Sequence, residues 1–76
     1  MELQTFIENF AAQFDETDPS EFQANTKFKE LDEWSSLMAL SIIAMVDDEY
    51  GVAIKGNDIR EAVTIEDLFI VVKQKA

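Results

Sequence analysis

Two adjacent serines, Ser35 and Ser36, stand just before the most apolar run of the chain, Leu37 to Val46. Their hydroxyls are the natural place to look for covalent chemistry. A serine is a weak nucleophile unless a neighbouring base takes its proton, and the chain has no histidine. It has no cysteine either, which removes thiolate nucleophiles, disulfide staples and the usual zinc ligand sets. Sixteen Asp and Glu residues are present, but they read as solvated charges rather than as a paired acid and base. Neither Asp15 to Pro19 nor Asp47 to Gly51 fits the calcium-loop pattern D-x-[DN]-x-[DN]-G. Two glycines in all are too few for a glycine-rich phosphate loop. No catalytic residue and no metal site is therefore expected. Two roles remain for the serine pair. One is to cap a helix. The other is to carry an esterified phosphate, which the free N–H groups and positive dipole end of a helix N-terminus favour.

A helix must follow the serines for either role. The stretch from Ser36 to Tyr50 contains no proline or glycine, and Gly51 supplies the residue that a left-handed C-terminal cap prefers. At helical spacing Ala39, Ile42, Ile43, Val46 and Tyr50 gather on one side, which is the expected core face. The other side is mixed. Ser41 and Asp48 are flanked there by Leu37, Ala44 and Met45, with Met38 near the edge. Asp47, Asp48 and Glu49 argue against full burial, so this helix is expected to show one face to the core and one to a partner.

The rest of the chain supports that helix. Met1 to Phe14 is helical by period, with Leu3, Phe6, Ile7, Phe10 and Phe14 on one stripe. Pro19 helps to end it. Asp15 to Trp34 forms a connection of unusual length, so Phe22, Phe28, Leu31 and Trp34 are expected to pin it, and a helical turn fits at Pro19 to Gln23. After Gly51, Val52 to Ile54 is extended and Val52 or Ile54 reaches the core. Asn57 is placed to cap a short helix through Ala62. Thr64 is an N-cap, with Asp67 at the capping-box position. Ile65, Leu68, Phe69 and Val72 form a last stripe, followed by Lys73 and Lys75, which suit a helix C-terminus. The expected core is Leu3, Phe6, Ile7, Phe10, Ile43, Val46, Tyr50, Leu68 and Val72. The fold class is all-α: a small bundle of three main helices plus one short helix, with a long loop between the first two. Residues 1–76 read as a single domain.

Composition bounds the function. A chain of 76 residues buries only about 60% of its unfolded surface and has little room for an enclosed active site. The formal net charge of −10 repels nucleic acid and anionic membranes and suits partners with basic patches. The apolar run Leu37 to Val46 is about half the length of a membrane span, and the first base is Lys27, so no basic leader region is seen. The expectation is a cytoplasmic, monomeric protein. Between Lys29 and Lys55 lie Glu30, Asp32, Glu33, Asp47, Asp48 and Glu49 with no base, either a solvated face or a docking field.

Length, acidity and the order of elements, together with Ser36-Leu37 and the segment Asp47-Asp48-Glu49-Tyr50-Gly51-Val52-Ala53-Ile54, resemble the acyl carrier protein family over essentially the whole chain. The resemblance implies a covalent 4′-phosphopantetheine arm on Ser36, whose thiol carries acyl groups as thioesters. It implies no catalysis by the chain itself. The partners it implies are a phosphopantetheinyl transferase and acyl-ligase or synthase-type enzymes of fatty acid or polyketide synthesis. They would meet a surface of Leu37, Ser41, Ala44, Met45, Asp47 and Asp48. Ser35 stands where the family usually has aspartate, and Asp32-Glu33-Trp34 lacks the family's glycine. Met38 and Ser41 occupy positions that are often acidic. These departures bear on which transferase and which pathway the chain serves. A peptidyl or aminoacyl carrier, and a helical adaptor whose serines merely cap, are the alternative readings.

Overall fold

The computed structural model describes residues 2–76 and contains four α-helices. They are α1 (Leu3–Ala11), α2 (Ser36–Tyr50), α3 (Gly56–Glu61) and α4 (Ile65–Lys75). Two 3-10 turns, Pro19–Glu21 and Phe28–Glu30, break up the long connection between α1 and α2. No strand occurs among the described residues. Helix α1 packs on α2 and α4, and the short α3 bridges α2 and α4. No helix among the described residues is long and apolar enough to cross a membrane.

Aromatic residues hold the long loop down. Phe10 of α1 lies 5.6 Å from Phe14, 6.2 Å from Phe22 and 5.3 Å from Phe28, measured between ring centroids. Trp34 meets Phe28 edge-on at 5.0 Å and stacks on Phe14 at 6.5 Å. Such rings bury large apolar areas and prefer tilted contacts at these separations. The expected pins thus all reach the core: Phe22 and Phe28 are buried, Leu31 and Trp34 half-buried. The loop also caps a helix. The carbonyls of Ala24 and Thr26 accept from the Glu66 and Ile65 N–H groups at 3.0 and 3.1 Å, satisfying donors that open α4 without a helical partner.

The local signals at α4 and at the end of α2 hold. Thr64 Oγ1 accepts from Asp67 N at 3.1 Å, and Asp67 Oδ2 accepts from Thr64 N at 3.0 Å. Gly51 adopts the left-handed conformation, φ 65° and ψ 26°, with its N–H bonded to the Asp47 carbonyl at 2.9 Å. Both Val52 and Ile54 are buried.

Four expectations are corrected. Helix α1 stops at Ala11 rather than at Phe14, and the expected residue Met1 lies outside the described residues. Phe14 nevertheless stays buried through the turn bonds from Gln13 N to Phe10 O and from Phe14 N to Ala11 O. Asn57 does not cap α3. The helix begins two residues earlier than that cap would place it, behind Lys55, because the Asp58 carboxylate accepts from Lys55 N at 2.9 Å. On α2 the buried side chains are Ile42, Met45 and Val46, while Ala39, Ile43 and Tyr50 are only half-buried. Leu3, also expected in the core, is half-buried against it. The core face of α2 is therefore turned toward Met45, away from Ile43. A helix apolar almost all round carries little information about which stripe faces inward.

Candidate functional site

The two serines that open α2 have separate roles. Ser35 is extended, φ −159° and ψ 173°, and its Oγ accepts from Met38 N at 3.2 Å. That is the N-cap bond. Ser36 is the first helical residue, is exposed, and its hydroxyl has no hydrogen-bond partner among the described residues. The N–H groups of Ser36 and Leu37 have no acceptor among the described residues either, since the first turn of a helix has no carbonyl to offer them. No acidic residue stands in the first turn. The start of α2 thus presents a free hydroxyl, free donors and the positive dipole end together.

The approach to the serines is held by Glu33. Its carboxylate accepts from Asp15 N at 2.9 Å, Glu16 N at 3.0 Å and Thr17 Oγ1 at 2.8 Å. The Thr17 hydroxyl does most to hold this carboxyl below the ordinary glutamate value. Partial burial opposes that shift, and the backbone N–H groups of Glu16, Asp15 and Thr17 add to it. In the sequence Glu33 is one acid in a run. Its partners lie sixteen to eighteen residues away, so no local pattern could mark it.

Beyond Ser36 the exposed residues of α2 are Leu37, Leu40, Ser41, Ala44, Asp47, Asp48 and Glu49, and all but Glu49 form a stripe at helical spacing. Leu37 is 76% exposed and Leu40 is 61% exposed. Of the expected surface, Leu37, Ser41, Ala44, Asp47 and Asp48 lie on this stripe. Met45 does not: it is 5% exposed and belongs to the core, which corrects its place on the outer face. Leu40 was missed. Its position three residues after Leu37 and four before Ala44 was the available signal.

The charges at the far end of α2 sit badly for stability. Asp47, Asp48 and Glu49 occupy its last turn, which contains no base, and the helix C-terminus disfavours anions by about 0.3–1 kcal/mol each. Among the described residues the one ion pair is Lys75 Nζ to Asp58 Oδ2 at 3.3 Å. Lys29 Nζ donates to the Arg60 carbonyl at 2.6 Å, at the end of α3.

The family model described as a phosphopantetheine attachment site matches residues 5–69, which include most of α1, all of α2 and α3, and the start of α4. No curated protein and no solved structure matches the chain.

Proposed function

The chain belongs to the phosphopantetheine attachment-site family, and from that premise we propose that Ser36 is the attachment residue of an acyl carrier protein. Domains of this family are carriers and hold a covalently attached 4′-phosphopantetheine group. When bound, that group supplies a terminal thiol on which cargo rides as a thioester. The observation that carries the assignment is the division of labour between the serines. Ser35 is committed to Met38 N, while Ser36 is exposed and unengaged.

The residues fit a phosphate ester at that point. The free N–H groups of Ser36 and Leu37 and the dipole of a 15-residue helix lie beside the hydroxyl. Ser35 caps without adding a negative charge. Further along, Leu37, Leu40 and Ala44 offer a small apolar contact, and Asp47 and Asp48 offer charge. Steering by such charge speeds encounter without requiring a large buried interface, which suits a carrier that must be released after each delivery. The proposed partners are a phosphopantetheinyl transferase and acyl-ligase or synthase-type enzymes of fatty acid or polyketide synthesis, bearing basic patches. We place the carrier in the cytoplasm, where coenzyme A is at hand to load it.

Intact-mass measurement after incubation with coenzyme A and a broad-specificity transferase tests the assignment. A single added phosphopantetheine on the Ser36 peptide is expected, and none on Ser36→Ala. Loading at Ser35, or undiminished loading of Ser36→Ala, would overturn it. A second reading, a peptidyl or aminoacyl carrier, is favoured by the uncharged first three turns of α2, where no acid precedes Asp47. Purified ligases for fatty acids and for amino acids, offered the loaded chain, separate the two.

A further inference from the structure

We propose that Glu33 is a positioning residue for the modification of Ser36: its carboxylate closes the neck of the long loop and thereby fixes the backbone that leads into α2. The proposal rests on the reading of Ser36 as the attachment residue.

One carboxylate gathers three donors from three consecutive residues, at 2.8 to 3.0 Å. Those residues, Asp15, Glu16 and Thr17, are the first of the loop after the α1 turn, and Glu33 lies near its end. The bond therefore joins the two ends of a segment that runs through both 3-10 turns. An ionised carboxylate bound to N–H and O–H donors makes stronger bonds than a neutral acceptor.

The neck needs such a bond. The hollow beside it is lined by Glu16, Glu21, Glu30, Asp32 and Glu33, which repel one another. No ion pair among the described residues relieves them. Apart from the carboxylate, only the stacking of Trp34 on Phe14 at 6.5 Å is seen to span the neck itself, while Phe22 on Phe14 and Phe28 on Phe10 hold the loop further along.

Only Trp34 and Ser35 separate Glu33 from Ser36. Trp34 is anchored by its ring and Ser35 by its cap bond to Met38 N. Both depend on the path set at Glu33. An enzyme that modifies Ser36 must receive the hydroxyl with its flanking backbone in one geometry. A loosened approach has to be ordered on binding, and that cost falls on affinity. The bound complex, once formed, presents the same hydroxyl. Loss of the clamp is therefore expected to raise KM and leave kcat nearly unchanged.

The test is steady-state loading by coenzyme A and a broad-specificity transferase, with the carrier concentration varied. The variants are Glu33→Ala, Glu33→Gln, Thr17→Val and Asn9→Ala. The last removes a bond between α1 and the end of α2, Asn9 Nδ2 to Tyr50 Oη at 3.0 Å, and serves as a control for stability alone. Glu33→Ala is expected to raise KM by about three- to tenfold with kcat within about twofold of wild type. Glu33→Gln, which keeps one acceptor oxygen, should fall between the two. Thr17→Val removes one of the three bonds without touching the acid, and it keeps the proposal falsifiable if Glu33→Ala does not fold. Faster amide exchange at Asp15 and Glu16, and altered emission of Trp34, the single tryptophan, should accompany the rise in KM. Wild-type KM in both Glu33→Ala and Thr17→Val, or an equal rise in Asn9→Ala, overturns the proposal while leaving Ser36 in place. A wild-type chain that takes no group on Ser36 overturns the underlying reading, and this proposal falls with it.

Discussion

At the scale of residues, neighbours of the same type end up in different roles. Ser35 and Ser36 differ by one step of a helix, and that step decides which hydroxyl turns back to the backbone. Ile42 and Ile43 differ by the same step. Ile42 is wholly buried and Ile43 is half-buried. Ile42→Ala is therefore expected to cost about 2–4 kcal/mol through lost transfer energy and the cavity left behind. Ile43→Ala should cost less than half as much, since its site is open enough to fill with water. Urea unfolding of the two variants checks the ranking, and equal losses would show that the face of α2 is wrongly placed.

At the scale of elements, α2 combines requirements that compete. Its inner face carries Ile42, Met45 and Val46, its N-terminus holds a free serine, and its outer stripe is apolar at one end and acidic at the other. The acidic end lies against the helix dipole. If the acids serve encounter, Asp48→Lys should slow association with a transferase and flatten its dependence on salt. Leu37→Ala should act mainly on release, because its 76% exposed side chain is available only for contact with another molecule. Loading kinetics across a salt series separate the two effects. An Asp48→Lys variant that associates at the wild-type rate at low salt would place recognition elsewhere.

At the scale of the whole molecule, charge sets stability. A net charge of −10 on 76 residues is self-repelling. Added salt at pH 7 is expected to raise Tm by about 5 °C by screening. Acid acts twice. Mild acidification removes repulsion. The Asp18, Glu33, Asp58 and Asp67 carboxyls oppose further acidification, because each is a stronger acid in the folded chain than its ordinary value. Those values are 3.8 for the aspartates and 4.5 for Glu33. The leading cause at Asp18 is the Ser20 N–H, at Asp58 the Lys55 N–H, at Asp67 the Thr64 N–H, and at Glu33 the Thr17 hydroxyl. The folded chain therefore binds fewer protons than the unfolded one. The stability these groups contribute is complete above the ordinary values and is lost as pH falls through the lower, folded ones. A low-salt Tm profile should peak near pH ~5 and fall steeply below pH ~4. A Tm indifferent to salt, or one that rises continuously into acid, would contradict this balance.

The sequence by itself determined whatever depends on neighbours within one turn. The Thr64 and Asp67 capping pair, the Gly51 cap, the stripe Phe6, Ile7 and Phe10, and the serine at the head of a long apolar helix are all local patterns. Each is fixed by residues within about one helical turn of one another. The aromatic pins of the long loop were legible too, because a twenty-residue connection in so small a chain needs anchors and few candidates existed. Only the tertiary structure decided which face of α2 is buried. With apolar residues nearly all round, the helix has no intrinsic preference between Ile43 and Met45, and the packing of α1 and α3 against it made the choice. The same holds for Glu33. Its carboxylate owes its role to three donors brought close by the folding of the loop, and nothing in the run Asp32-Glu33-Trp34 distinguishes it from the acids around it.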